Sequence, residues 1–282
     1  MTTITAHTLV KNEARFVWFS VMSVIDYVDE VLLWDTGSTD GTIKILQEIK
    51  KRYPAKVKLR LFGSVTPEEF TIVRQDMLDV TESDWFLVVD GDEIWWDESI
   101  KKVTDFIRNN AQKHDAESII TPTINLVGDI YHYQEKEAGQ YKFGRRKGHY
   151  NLRAVNRNIP GLSSDKPHGT WGWIDNQGRM IQDRNSRKII FIDAPYVHAT
   201  FLRRAGDNSL DKNVPKRTGK LKHEIGISFP SDYFYPEVFF REKPDFIRSP
   251  WETMSKFFFV RALVETPLRK FKRRYLPGKI GY

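Results

Sequence analysis

The regular alternation of strand-like and helix-like segments over the first hundred residues constrains the fold of this chain more than any other feature of its sequence. Short apolar runs alternate with longer segments whose apolar residues recur every three or four positions. The runs that predict strands are residues 3–10, 30–35, 56–62 and 85–90, and the segments that predict helices are residues 14–28, 42–53, 67–81 and 97–113. This order predicts an α/β fold with a mostly parallel central sheet, helices on both faces and right-handed crossovers.

The pattern changes after a further predicted strand at residues 118–127. Residues 128–187 are rich in Gly, Asn, Arg and aromatic residues without a clear period, which favours long loops and short strands around a binding face. A single strand is expected within residues 188–201. The end of the chain predicts a helical extension in two pieces: residues 251–265, and a second helix that Thr266 caps, with Pro267 in its first turn.

The positive charge of the chain is concentrated in this last segment. The formal net charge is +7, and residues 251–282 carry eight Lys/Arg against two Asp/Glu. The basic tail raises the hypothesis of a nucleic-acid-binding module, but the body of the chain is nearly neutral and the many Phe residues of the tail suit lipid better. We therefore expect no nucleic acid as a partner. The tail is expected either to lie on an anionic membrane surface or to pack as an ordinary helix on the catalytic domain or a second copy.

Composition also bears on compartment and on metal chemistry. No run approaches the roughly 18 to 20 consecutive apolar residues of a membrane-spanning helix. The N-terminus lacks the pattern of a secretory signal, so a cytoplasmic location is expected, peripheral at the inner face of the cell membrane if the tail binds lipid. The chain has no Cys, so oxygen or imidazole ligands must hold any metal.

Three polar segments lie where predicted strands end: KNE at residues 11–13, DTGSTDGT at 35–42 and DGDE at 90–93. Ligands of open parallel sheets bind beyond these carboxyl ends. The three segments are therefore expected to meet at one edge of the sheet.

The DTGSTDGT segment has two interpretations. A strand-to-helix turn explains most of it, because its glycines permit tight backbone geometry and Ser38, Thr39 or Asp40 can cap the next helix. Such a cap does not require Asp35. A carboxylate at the end of a buried strand suits a ligand with hydroxyl or imide groups.

The DGDE segment places three carboxylates within four positions between two apolar runs. Like charges at this spacing are costly to bury unless a cation compensates them. Either the segment is a solvated acidic turn, or Asp90 and Asp92 hold Mn²⁺ or Mg²⁺, hard ions that take oxygen ligands and bridge to phosphate. The wider context favours the second interpretation.

That context is the order TLVKNEARF, VDEVLLWDTGSTDGT and RQDMLDVTESDWFLVVDGDE, which resembles a family-2 glycosyltransferase of the GT-A fold. The resemblance covers about the first hundred residues, and the motifs are specific only in combination. Gln75 stands where the family usually has Asn, and Val73 where it has a small residue. A bacterial lipopolysaccharide-core-like branch is suggested by NLRAVNR at residues 151–157.

The resemblance implies an inverting, metal-dependent transfer of a sugar from a nucleotide-diphosphate sugar to an acceptor hydroxyl. The basic tail adds the expectation that the acceptor is a glycan, a lipid-linked glycan or lipopolysaccharide. The resemblance also implies that Asp35 contacts the base and ribose, that Arg74 lies near the phosphates, and that Asp90 and Asp92 bind the metal that holds the diphosphate. His198 resembles a third metal ligand, although a histidine satisfied in the core is an equal alternative. The full set of expected donor-binding residues is Val10, Asn12, Glu13, Asp35, Gly37, Ser38, Arg74, Asp90 and Gly91.

The general base is harder to identify, because Gly169 occupies the position where the lipopolysaccharide-core-like branch tends to have Glu. Asp165 is the nearest upstream carboxylate and the predicted base, and Asp175 is the nearest downstream. The predicted acceptor-side residues are Glu93, His168 and Trp171. Residues 1–125 are expected to form the donor half, 126–225 the acceptor half and 226–282 the basic helical extension. A nucleotidyltransferase on a similar scaffold remains the alternative enzyme.

Overall fold

The computed structural model describes residues 1–168, 170–214 and 217–275. Gly169 and the last seven residues of the predicted extension lie outside the described residues. The helices are α1 Val17–Val24, α2 Thr42–Arg52, α3 Glu69–Asp79, α4 Asp97–Asn109, α5 Arg217–Lys220 and α6 Lys256–Tyr275. The strands are β1 Ile4–Val10, β2 Glu30–Thr36, β3 Val57–Phe62, β4 Trp85–Val88, β5 Glu93–Trp95, β6 Ser118–Val127, β7 Asp129–Tyr133, β8 Tyr141–Phe143, β9 Arg146–Gly148, β10 Tyr150–Asn156, β11 Ser163–Asp165, β12 Gly172–Ile174, β13 Ile189–Phe191, β14 Tyr196–His198 and β15 Ile227–Ser228.

The main sheet has the strand order β15-β7-β6-β10-β4-β1-β2-β3 among the described residues. Strands β4, β1, β2 and β3 are parallel neighbours, whereas β10 runs antiparallel to both β4 and β6. The first four strands therefore end at the same edge, which brings their polar loops together. The predicted α/β architecture is confirmed.

Both faces of β4, β1 and β2 are buried, as their continuous apolar runs require, whereas the edge strand β3 is largely exposed. In β2, Val31 and Leu33 pack in the main core with α1 and α2, whereas Leu32 and Trp34 pack on the opposite face against Met77 of α3. The alternation along one strand follows from the two-residue period of its side chains. Helices α1 and α2 therefore cover one face of the sheet and α3 covers the other.

Two predicted elements differ from those observed. The single strand expected within residues 188–201 is two strands, β13 and β14, separated by residues 192–195, and both pair with β6. The split matters because β14 also pairs with β5, directly after the DGDE segment. Strand β6 spans the expected boundary at residue 125, and the division into a donor half and an acceptor half stays a prediction.

The predicted break at Thr266 is also wrong, since α6 continues through Pro267. Thr266 does not start a new helix: its Oγ1 donates to the Ala262 carbonyl at 2.6 Å and accepts the Ile225 N–H at 2.8 Å. Proline removes one hydrogen bond of the helical ladder and its ring crowds the carbonyl one turn earlier. The hydrogen bond between Thr266 and Ile225 holds the helix in place at that point. Among the described helices, none is long and apolar enough to cross a membrane.

Candidate active site

The first two polar segments form one hydrogen-bonded unit. Asn12 adopts a left-handed backbone conformation with a φ of 53°. Its N–H donates to Ser38 Oγ at 2.8 Å and its Oδ1 accepts the Thr39 N–H at 2.8 Å. Asp35 is buried at the end of β2 and accepts hydrogen bonds at Oδ1 from the N–H groups of Gly37 and Ser38, both at 2.9 Å. Asp35 thus supports its own turn, a task that the sequence did not indicate.

Asp40 is the residue that bridges to the next helix. Its Oδ1 accepts the N–H of Thr42 at 3.0 Å, as a capping residue does. Its Oδ2 accepts the Gly206 N–H at 2.8 Å. The N-cap position itself is Gly41, which has no side-chain cap, so Asp40 supports the turn from the preceding position and ties the second loop to a segment distant in sequence.

Two glycines permit close approach of these loops. Gly37 has a φ of +89°, and an added Cβ would lie 2.9 Å from Ser64 Cα. A Cβ on Gly91 would lie 2.8 Å from Val10 Cγ1 and 2.9 Å from Glu13 Cγ. The DGDE loop is therefore in contact with the loop after β1, as the shared sheet edge predicted.

The DGDE segment meets His198 through strand pairing. Glu93 begins β5, which pairs antiparallel with β14, and the register places Glu93 opposite His198. The Ala199 N–H donates to the Asp92 carbonyl at 2.9 Å. As a result, His198 Nε2 lies 3.4 Å from Asp92 Oδ2, so two residues 106 positions apart form one polar pair. Asp92 and Glu93 are buried, whereas the Asp90 side chain is 36% exposed.

Arginines supply the counter-charge for these carboxylates. Arg74 Nη2 lies 3.2 Å from Asp90 Oδ1, and Arg153 contacts both Asp90 and Glu93. Arg204 Nη1 lies 2.5 Å from Asp92 Oδ2. The acidic segment is thus neither a solvated turn nor uncompensated, because guanidinium groups from distant parts of the chain surround it.

The pKa values of the three carboxyl groups move in different directions. Burial would raise the pKa of Asp92, but the Arg204 guanidinium and then His198 outweigh it and hold that pKa well below the usual range. Burial likewise opposes Arg153 and Arg74 at Asp90, where the cations again prevail and lower the pKa. At Glu93 burial prevails over Arg153 and raises the pKa to about 7. The two aspartates are therefore anionic at neutral pH, as ligands for a cation must be.

A second cluster lies beneath the loop after β1. Glu13 is buried and pairs with Arg217 of α5 and with Arg204 Nη1, the latter at 3.2 Å. Burial raises the pKa of Glu13 to about 7, against the opposing effect of Arg204 and Arg217. Arg217 Nη2 also donates to the Lys11 carbonyl at 2.9 Å. Arg204 therefore joins the acidic segment to the loop that begins the site.

The residues at hand fit a divalent ion that a donor diphosphate completes. Within the described ranges, no group of three or more His, Asp or Glu side chains could hold a metal by itself. Mg²⁺, however, is commonly bound by one or two carboxylates plus substrate phosphates. Asp92 Oδ2 is buried and lies beside the His198 imidazole. Arg204 Nη1 already pairs with the same oxygen at 2.5 Å, so a divalent ion at Asp92 would have to share or displace that guanidinium. Asp92 and His198 are thus a suitable oxygen and imidazole pair, with the more exposed Asp90 beside them.

The predicted base Asp165 and the acceptor-side residues His168 and Trp171 lie against α3, whereas the third acceptor-side residue, Glu93, lies within the acidic segment. The hairpin of β11 and β12 places Asp165 opposite Gly172, and the Ser164 N–H donates to Gln75 Oε1 at 2.8 Å. Arg74 lies over the Trp171 ring at 4.8 Å. The structure thus brings this hairpin to Arg74. Among the described contacts, none joins Asp165 to Asp90 or Asp92.

The other two acceptor-side candidates have defined surroundings. His168 packs edge-on against Phe70, with ring centroids 4.8 Å apart. Glu93 lies beneath the aspartates, where its Oε1 accepts the Tyr196 hydroxyl at 3.0 Å and contacts Arg153. Their roles toward an acceptor stay predictions.

Three arginines of the site were missed from the sequence. Arg153 stands in the NLRAVNR segment, whose resemblance to a family motif was its only signal. Arg204 and Arg217 follow no motif, and they reach the site only because the chain after β14 folds back over residues 11–13.

Comparison with known proteins identifies the family. The model of the family described as Glycosyl transferase family 2 matches residues 5–165, which is more than half of the chain. The chain belongs to this family. The predicted family and enzyme class, a glycosyltransferase, are therefore confirmed.

Relatives of this glycosyltransferase are distant. A protein of Rickettsia felis described as an uncharacterized glycosyltransferase is 29% identical over 127 residues, covering 45% of this chain and 40% of that protein. A TPR repeat-containing protein of Synechococcus elongatus is 26% identical over 160 residues, covering 57% of this chain and 33% of that protein. The chain thus spans less than half the length of these curated relatives. Residues 1–349 of S. aureus TarS, solved in complex with UDP, align with a TM-score of 0.47 and 14% identity, covering 70% of this chain and 60% of that chain.

Proposed function

We propose that this glycosyltransferase moves a sugar from a nucleotide-diphosphate sugar to an acceptor hydroxyl, with a divalent metal and with inversion at the anomeric carbon. The observation that carries the proposal is the pairing of Asp92 with His198 next to Asp90 and Arg74, at the edge where β1, β2 and β4 end. Anionic carboxylates, an imidazole and a guanidinium at one edge are the groups that a metal-bound diphosphate requires.

The donor would lie across the ends of β2, β1 and β4. Val10 and Asp35 are direct neighbours in the register of β1 and β2, so the nucleoside end is assigned to them and to the turn of Gly37 and Ser38. The diphosphate is assigned to the next strand end, where Gly91 approaches Val10 closely. Asn12 joins the loop after β1 to the loop after β2 through Ser38 and Thr39. Glu13 anchors the loop after β1 through its ion pairs with Arg204 and Arg217.

The leaving group determines which residues accelerate transfer. As the sugar departs, negative charge accumulates on the phosphate oxygens, and groups placed there in advance lower the barrier. Arg74 is fixed for this task by Asp90 and by the Trp171 ring beneath it. When bound by Asp92 and His198, a divalent ion would supply further stabilisation of this charge.

Inversion requires a base on the face of the sugar opposite the leaving group. We assign this role to Asp165, which is half-buried on the hairpin that packs on α3. Because Trp171 of the same hairpin touches Arg74, the hairpin borders the diphosphate region, and His168 beside Phe70 is assigned to the acceptor. The acceptor is assigned as a glycan, either free or lipid-linked.

The experiment is donor hydrolysis or transfer with a panel of nucleotide sugars and added Mn²⁺ or Mg²⁺. Asp92→Asn should lower turnover by about 100-fold or more, because one lost transition-state contact of this kind costs that much. The matched control is Asp105→Asn, since Asp105 is a half-buried helix carboxylate paired with Lys101 and outside the site. Turnover that EDTA and Asp92→Asn both leave unchanged would overturn the proposal.

Product analysis tests the remaining parts of the proposal. Release of nucleoside diphosphate is expected, whereas release of pyrophosphate would instead identify a nucleotidyltransferase. The anomeric configuration of the transferred sugar, read by NMR, should be opposite to that of the donor. Retained configuration would refute the inverting assignment and the role of Asp165 with it.

A further inference from the structure

Helix α6 carries an exposed apolar stripe along its outer face. Phe257, Val260, Val264, Leu268 and Phe271 follow one another at steps of three or four residues, as does Tyr275 after them, so they share one side of the helix. Each of the six side chains is between 59% and 76% exposed. A contiguous exposed stripe of this kind marks an interaction site more often than scattered apolar residues do.

Contacts between the opposite side of α6 and the body of the protein keep the apolar stripe facing solvent. Ala262 is fully buried. Thr266 is hydrogen-bonded to Ile225, and Arg273 pairs with Glu224 at 2.5 Å. Because these inward contacts repeat along the helix, α6 cannot rotate its apolar stripe onto the body of the protein without breaking them. The stripe is therefore a stable outward surface.

The charges of α6 show which partner suits the stripe. The helix contains seven Lys/Arg and a single acidic residue, Glu265. Glu265 is already paired with Arg261 at 2.6 Å and with Arg269 at 2.8 Å. Within the described part of the chain, no ion pair engages Lys256, Lys272 or Arg274. The stripe is thus bordered by free positive charge.

This charge pattern disfavours a second copy of the chain as the partner. Two α6 helices packed stripe to stripe would bring basic borders against basic borders in either orientation, and like charges facing one another are destabilising. An anionic lipid surface matches both properties, because the apolar side chains enter the boundary of the acyl chains while the cations meet the headgroups.

We propose that α6 docks the protein on an anionic membrane surface, with the stripe of Phe257, Val260, Val264, Leu268, Phe271 and Tyr275 inserted at the interface. This places the enzyme beside acceptors embedded in the same membrane. The docking does not depend on the chemistry at Asp92, so it is testable apart from the proposed transfer.

The test is co-sedimentation of the full chain with phosphatidylcholine vesicles, with and without phosphatidylglycerol. Binding is expected only with the anionic lipid and should weaken as salt is raised. The stripe variant Val264→Ser/Leu268→Ser/Phe271→Ser should lose at least about tenfold in partitioning, since each buried apolar group contributes to insertion. Lys272→Gln/Arg274→Gln should weaken binding as well, because each cation near the surface contributes.

Matched controls remove equivalent groups elsewhere. Ile72→Ser removes an exposed apolar side chain from α3, and Lys51→Gln/Lys113→Gln removes two exposed cations from outside α6. Neither should change partitioning. The thermal unfolding temperature and donor hydrolysis of the stripe variant should match those of the parent chain, because its substituted residues make no described contact with the body.

Three results would overturn the proposal: no binding to either vesicle, equal binding to both, or unchanged binding of the stripe variant. Light scattering measures whether the stripe instead mediates self-association of the chain. If the parent chain is a dimer, the stripe variant is a monomer, and neither binds vesicles, then the stripe is a self-association surface instead. Failure of donor hydrolysis alone would refute the proposed function and leave the docking intact.

Discussion

Removal of Arg153 tests how much the protein's stability depends on the positive charge that this residue places beside Asp90 and Glu93. Arg153 contacts Glu93 and Asp90, and its Nε lies 2.9 Å from the Tyr196 hydroxyl. In Arg153→Met, Asp90 keeps Arg74 at 3.2 Å, but Glu93, which is fully buried, loses its guanidinium. The pKa of Glu93 is about 7 even with Arg153 present, so in the variant this buried carboxyl group must either stay charged without a partner or take up a proton. The prediction is therefore a loss of stability dominated by Glu93.

The size of the expected stability loss follows from the known cost of breaking one buried ion pair. Breaking a buried ion pair by removing one member costs about 3–5 kcal/mol. For a chain of this size, each kcal/mol lowers the unfolding temperature by about 2–3 °C, so we expect a fall of about 6–15 °C. The double variant Arg153→Met/Glu93→Gln should recover about half of the loss or more, because the amide can still accept the Tyr196 hydroxyl without bringing a charge.

The assay is thermal unfolding followed by circular dichroism, with Arg157→Met as the matched control. Arg157 is exposed just beyond the end of β10, so its replacement should change stability by no more than about 0.5 kcal/mol. Equal shifts for Arg153→Met and Arg157→Met would refute the reasoning. Strict additivity of Arg153→Met and Glu93→Gln would show that the two residues are not coupled.

Three further predictions concern backbone geometry, the α6 anchor and pH. Gly37→Ala should destabilise the chain more than Gly178→Ala in chemical denaturation, because both residues have positive φ but only the first would clash with backbone, at Ser64; equal losses would show that the clash is relieved. Thr266→Val should cost about 1–3 kcal/mol and speed hydrogen exchange at the Ile225 amide, which would lose its acceptor; unchanged exchange would contradict this. Burial lowers the pKa of Lys222 to about 8, so the folded state binds fewer protons than the unfolded state above that pH. Stability should therefore rise between about pH 8 and 10.5 relative to Lys222→Met, and parallel pH profiles of the two proteins would exclude the effect.

Local patterns were sufficient for most elements of the first hundred residues, but they missed the short strand β5. The strands β1, β2 and β4 were predicted because buried parallel strands are continuous apolar runs. The edge strand β3 was predicted from its alternating apolar residues, and α1 to α4 from the period of theirs. The meeting of the KNE, DTGSTDGT and DGDE segments at one edge also followed, since parallel strands share an edge. The errors came later, at residues 188–201 and at Thr266, where contacts distant in sequence decided the outcome.

The sequence by itself determined the α/β architecture, the family and the placement of Asp35, Asp90 and Asp92 at strand ends, because these depend on local periodicity and on motifs in a fixed order. Only the tertiary structure decided what surrounds the carboxylates. The pairing of β5 with β14 brings His198 to Asp92, and the return of the chain after β14 brings Arg204 to the same oxygen. The physical reason is that burying this acidic segment requires compensating charge, and the position of a distant cation is set by strand register and chain path, which no local pattern encodes.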